Sequence, residues 1–224
     1  MTRKKRGPSM RRADRYNQLM KIARQLVAQE GGDALTMTAL SELAGVAKPV
    51  VYSHFANAGD VIIELLETHF DQLTQAVNAQ IAGSDTLEEY VSRLVDASFD
   101  FENASDLPIR KITNGFAADE RINSAYLRHE EEFVGHWELV LRACGASEKE
   151  LEVAAYGISS MVSNTIYSFA LKPRQKLARD TTKALILAMI EAVAPDARNL
   201  FKPRELKLEL AKANDAIVPT RKSA

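Results

Sequence analysis

The sequence predicts an all-α protein with a small three-helix head and a larger helical body. Three observations point there. Apolar residues recur at intervals of three and four along nearly the whole chain. Alternating strand patterns are nearly absent. Glycines and capping residues fall at the ends of the periodic runs. With 224 residues, 46% hydrophobic and 26% charged, the chain is large enough to bury a core without disulfides.

The elements follow in order. From Arg12 to Glu30, Leu19, Ile22, Ala23, Leu26 and Val27 repeat at helical spacing, and Gly31-Gly32 ends the run. Thr36 is placed as an N-cap for a short helix through Leu40, Leu43 and Ala44, which Gly45 breaks. Lys48 to Phe55 reads as a third helix, with Pro49 in its first turn. Asn57 caps a fourth helix through Val61, Ile62, Leu65, Leu66, His69, Phe70 and Leu73 to about Ala82, and Asp60 gives a weak capping box. Further helices are expected over 86–103, 107–117, 119–143, 148–171 and 176–193, with a short one near Glu205–Ala213. The expected organisation is a basic arm over 1–11, a head over 12–57, a body over 58–200 and a tail over 201–224.

Charge is divided unevenly. Through Phe55 there are ten Lys and Arg against four Asp and Glu, and beyond it nineteen against twenty-six. A basic head on an acidic body suits a polyanion met by the head alone. Cys144 is the only cysteine, which excludes an intrachain disulfide and a cysteine metal cluster and fits a reducing compartment. No apolar run approaches the roughly 20 residues that span a bilayer, so a cytoplasmic location without a membrane partner is expected. There is no Walker loop, no Gly-x-Ser-x-Gly and no His-Glu-x-x-His, and no cofactor is expected.

The stretch "TMTALSELAGVAKPVVYSHF" reads as two helices around a tight turn. Leu40, Ala44, Val46, Val51 and Phe55 share a small core, and Gly45 can take the left-handed conformation such a turn needs. The second helix then presents Lys48, Pro49, Val50, Tyr52, Ser53 and His54, a surface that fits a DNA major groove. Lys48 can meet a phosphate or a guanine edge, and Val50 a thymine methyl. Tyr52 and His54 can bond phosphate oxygens, which sets register without reading sequence. Thr36 and Thr38 of the preceding helix join the candidate DNA-binding set, as do Arg3, Lys4, Lys5 and Arg6 of the arm.

Residues 12–61 resemble the N-terminal domain of the tetracycline-repressor (TetR) family of transcription regulators. Thr36, Ala44-Gly45-Val46, Tyr52, His54 and Phe55 match its pattern, and Pro49 is similar to a proline of the tetracycline repressors themselves. Three positions depart from it: Ala58 stands where a phosphate-touching Lys is common, Gly59 where Glu is usual, and Val27 where Phe is preferred. The resemblance implies an operator duplex as partner, a homodimer formed by the last two long helices, and a small-molecule effector bound in the helical body.

Within the body, small residues Ala154, Ala155, Gly157, Ser159 and Ser160 beside the apolar "TTKALILAMIEAVA" suit a four-helix dimer bundle. Tyr156, Ser160, Asn164 and Tyr167 share one helix face, which suits either a ligand cavity or a polar part of that interface. Tyr126, His129, Phe133 and Trp137 form a stripe on another helix; with Phe70, Phe99 and Phe116 they are the candidate pocket walls. The expected function is a ligand-responsive DNA-binding regulator, a repressor released by a small apolar or aromatic molecule. Two alternatives stand beside it. One is an all-helical metal-dependent hydrolase using His129, Glu132 and His136; the other is a helix-turn-helix protein governed by a protein partner.

Overall fold

The computed structural model describes residues 11–113, 119–203, 205–206 and 209–210, and no strand occurs among them. The helices are α1 (Arg12–Glu30), α2 (Met37–Leu43), α3 (Lys48–Tyr52), α4 (Ala58–Ile81), α5 (Leu87–Ala104), α6 (Ile109–Thr113), α7 (Glu120–Ala143), α8 (Glu148–Phe169), α9 (Gln175–Val193) and α10 (Ala197–Leu200). The all-α expectation holds. The chain forms two compact units, Met1–His69 with Asp106–Ala125, and Phe70–Ser105 with Tyr126–Ala224. The division therefore falls inside α4 and α7, whereas the sequence pointed to a boundary at the α4 cap. No described helix is long and apolar enough to cross a membrane.

In the first unit, α1 buries Leu19, Ala23, Leu26 and Val27, one face of a 3.6-residue period. Leu40, Val51 and Phe55 are buried with them, as are Val61, Ile62, Leu65 and Leu66 of α4. Thr36 caps α2 as predicted, its side chain accepting the Ala39 N–H at 3.0 Å. The α2–α3 turn is a Schellman motif. The Gly45 N–H donates to the Glu42 carbonyl at 3.1 Å and the Val46 N–H to the Ser41 carbonyl at 3.0 Å. Gly45 sits at φ +64°, where a side chain is strained. The segment from Asp106 packs on the end of α1. Arg24 Nε donates to Asp106 at 2.8 Å, which holds that carboxyl below the usual range, and Lys111 donates to the Ala28 carbonyl.

The second unit is built on α5, α8 and α9, which pack against one another around Leu94, Phe99, Ile158, Val162, Ile186 and Ile190. A polar seam joins α5 to α9. Arg179 reaches Asp100 at 2.6 Å and covers the Phe99 ring at 5.0 Å, and Lys183 reaches Asp96 at 2.7 Å. Gly157 of α8 lets α9 approach closely, since a Cβ there would lie 3.1 Å from Met189 Cε. Glu205, Leu206, Glu209 and Leu210 are helical, in line with the short terminal helix expected there.

Candidate nucleic-acid interface

Two devices hold α3, because five residues cannot form a stable helix alone. Pro49 lies in the first turn, where a missing N–H costs nothing. Val51 and Phe55 are buried on one side, which leaves Lys48, Pro49, Val50 and Tyr52 exposed on the other, with Tyr52 53% exposed. Ser53 is exposed and His54 half-buried. Both stand beyond the helix that was expected to include them. Ser53 ends it by donating its hydroxyl to the Val50 carbonyl at 2.6 Å, so its proton is used within the turn. Thr36 and Thr38 border this surface on α2, exposed and half-buried respectively. Arg3, Lys4, Lys5 and Arg6 lie outside the described residues.

Sequence reasoning missed the supports behind this face. Arg12 donates to the Ser53 carbonyl at 3.3 Å, neutralising the C-terminal end of α3. Tyr16 donates to Glu64 at 2.8 Å, and its ring lies 5.5 Å from Phe55 and 6.4 Å from His54. Their i, i+4 spacing on the polar side of α1 was the available signal.

Beyond α3, Asn57 Oδ1 accepts the Asp60 N–H at 3.1 Å while Asp60 Oδ2 accepts the Ala56 N–H at 3.0 Å. The predicted box is therefore shifted, reaching back one residue before the cap. Arg121 joins it: Nη1 lies 2.8 Å from Asp60 Oδ1, and Nη2 lies 3.1 Å from Asn57 Oδ1 and 3.3 Å from Asp119 Oδ2. Asp119 in turn caps α7 by accepting the Arg121 N–H at 3.0 Å.

The candidate pocket residues of the second unit separate into several places. Phe70 stacks on His129 at 4.3 Å and meets Tyr126 edge-on at 5.9 Å. Phe133 and Trp137 group with His136, whose Nε2 lies 2.9 Å from the Tyr90 hydroxyl. Phe99 is sealed beneath Arg179. Tyr156 and Tyr167 are 54% and 51% exposed, and Asn164, also exposed, turns its amide back to the Ser160 carbonyl. Phe116 lies outside the described residues. The stripe is thus largely core, and the α8 set faces outward. The metal alternative loses its third ligand for the same reason. Glu132 is 3.4 Å from His129, but His136 is turned to Tyr90, and no group of three metal-binding side chains occurs among the described residues.

Residues 19–65 match the sequence model of a family described as bacterial regulatory proteins, tetR family. The match lies within the first unit and covers less than a quarter of the chain. Over 97 residues it is 30% identical to the HTH-type transcriptional activator FasR of Mycolicibacterium smegmatis (strain ATCC 700084 / mc(2)155). That match covers 43% of this chain and 44% of the relative, so it spans less than half of either. Among solved structures, SCO4454, a TetR-family transcriptional regulator from Streptomyces coelicolor, is 14% identical with a TM-score of 0.65, covering 81% of this chain and 97% of that one. The fatty acid degradation regulator FadR from Bacillus halodurans is 19% identical with a TM-score of 0.60, covering 84% and 97%. At these identities the two structures show a shared fold.

Proposed function

We propose that the chain is a DNA-binding transcription regulator, a repressor that holds operator duplex as a homodimer and leaves it when a small apolar or aromatic molecule binds the second unit. The observation that carries the DNA reading is the exposed row Lys48, Pro49, Val50 and Tyr52 on a helix fixed from behind. The basic head supplies the charge that phosphates require. The family of the head and the activator FasR both support transcription as the process regulated.

The effector reading rests on two buried groups of the second unit. Among the described residues, Trp137 Nε1 and Ser159 Oγ have no hydrogen-bond partner. Each such group costs about 1–3 kcal/mol, so a molecule that offers an acceptor to the indole gains from it. The dimer reading rests on Val153, Tyr156 and Tyr167 of α8 and Leu177 and Leu185 of α9, which stand exposed. With these outward, Tyr156, Asn164 and Tyr167 suit the polar part of an interface rather than a cavity.

Selection of duplexes from a random pool, followed by footprinting, tests the first part. Two related half-sites roughly 34–36 Å apart are expected, and a monomer on one half-site would overturn the dimer. A reporter carrying the selected duplex tests the sign, with expression expected to rise on deletion of the regulator. The switch is tested by reciprocity, since operator must weaken effector binding by the factor with which effector weakens operator binding.

A further inference from the structure

We propose that Arg121 is a positioning residue for the recognition helix α3, and that residue 59 is a glycine so that the Arg121 guanidinium can sit over the α4 cap. This rests on the DNA-binding reading and assigns it a part outside the DNA-facing surface.

The geometry is that of one cation shared by two helix starts. Arg121 bonds Asn57, the cap of α4, and Asp119, the cap of its own helix, and pairs with Asp60. A positive charge beside helix N-termini is opposed by the helix dipoles. The guanidinium stays because two carboxylates and an amide oxygen converge on it, and the bond from Asp60 raises its proton affinity further. Asp60 is engaged on both oxygens, one by Arg121 and the other by the Ala56 N–H. Ala56 directly follows Phe55, the buried anchor at the end of the helix-turn-helix. The chain leaving α3 is thus tied through Ala56, Asn57 and Asp60 to a single side chain from the start of α7.

Gly59 gives the independent observation. Glycine in the first turns of a helix is unfavourable, yet Gly59 is buried beneath this cluster. A Cβ built on it would lie 2.6 Å from Arg121 Nη2 and 3.0 Å from both Asn57 Oδ1 and Asp119 Oδ2. The nearest of these atoms is the tip of a flexible side chain. Alanine at this position would therefore push the guanidinium out and leave the helix standing. The sign of the two effects is opposed: Gly59→Ala favours α4 by propensity and disfavours the Arg121 contacts.

The experiment compares wild type, Gly59→Ala, Arg121→Gln, Arg121→Lys and the Gly59→Ala/Arg121→Gln double variant in the full chain. The probe is the duplex that the wild type selects from a random pool. Binding is titrated at several salt concentrations, and thermal unfolding is recorded for each. Gly59→Ala and Arg121→Gln are each expected to weaken binding by roughly five- to fiftyfold, which lies within the span that coupling between touching side chains produces. The double variant should lose no more than the worse single one, and Arg121→Lys should fall between. The unfolding temperature of Gly59→Ala should equal or exceed that of wild type, and salt slopes should stay unchanged. Binding of Gly59→Ala at wild-type strength, additive losses, or losses that follow falling unfolding temperatures would overturn the proposal. A shallower salt slope for Arg121→Gln would also overturn it, by making Arg121 a phosphate contact. If the wild type selects no duplex, the DNA-binding reading itself fails, and this inference falls with it.

Discussion

Ser53 and Tyr52 are neighbours on the candidate DNA face, yet the structure gives them different capacities. The Ser53 hydroxyl spends its proton on the Val50 carbonyl, while the Tyr52 phenol stands in solvent. Tyr52→Phe should therefore weaken binding on every duplex by about 1 kcal/mol, the worth of one net hydrogen bond. Ser53→Ala should change it much less. Parallel titrations on a selected and a scrambled duplex check both statements. Residue chemistry also sets a pH dependence in the second unit. Loss of hydration lowers the His136 pKa from 6.5 to about 4. Between those values the unfolded chain binds a proton that the folded chain refuses. The stability tied to the neutral ring is whole above pH 6.5 and is lost as the pH falls towards 4. The loss is on the order of 3 kcal/mol at most. His136→Phe should flatten the curve of unfolding free energy against pH in that window, as urea titrations at stepped pH would show.

At the scale of elements, a five-residue helix keeps its place through the turn before it and the anchors beneath it. Gly45→Ala puts a side chain at φ +64°, which should cost roughly 1–2 kcal/mol. Denaturant unfolding of the variant measures the cost, and weaker DNA binding should accompany it. Most elements were legible in the sequence because their signals are local. Thr36 announced a cap, Gly45 a left-handed turn, and Leu19, Ala23, Leu26 and Val27 a buried face, and each is found so. The end of α3 was not legible, because Ser53 and His54 continue a helical pattern until a side chain bonds the backbone. Gly59 read only as a departure from the family pattern, since its justification is Arg121, sixty-two positions later in the sequence. The aromatic stripe of α7 read as pocket wall because periodicity tells which side is inward and says nothing of what fills the space there. Packing with Phe70, Tyr90 and His136 occupies it.

For the molecule as a whole, the uneven charge already separated a basic head from an acidic body. The same sequence placed the boundary at Asn57, but the compact units divide inside α4 and α7. Local breaks mark where helices stop, whereas units are defined by which distant residues touch. Assembly is likewise a property beyond one chain's periodicity. Leu177, 66% exposed on α9, is the sharpest probe of it. Leu177→Glu places a charge on the face assigned to the partner copy. It should weaken self-association by roughly 2 kcal/mol or more if the position lies at the centre of the interface. Sedimentation over a concentration series would show the shift, and operator affinity should fall with it.

Trp137 is the single tryptophan of the chain, fully buried in the second unit, with an indole N–H that has no partner among the described residues. It is consequently a built-in optical probe of one known place. Its emission should be blue-shifted and poorly quenched by acrylamide in the folded protein, and should move to the red on unfolding. Because no second indole contributes, a spectral change on adding a colourless candidate effector reports an event at the second unit without any dye or label. An effector that offers an acceptor to the Trp137 N–H should shift the emission; one that merely coats the surface should leave it where it was.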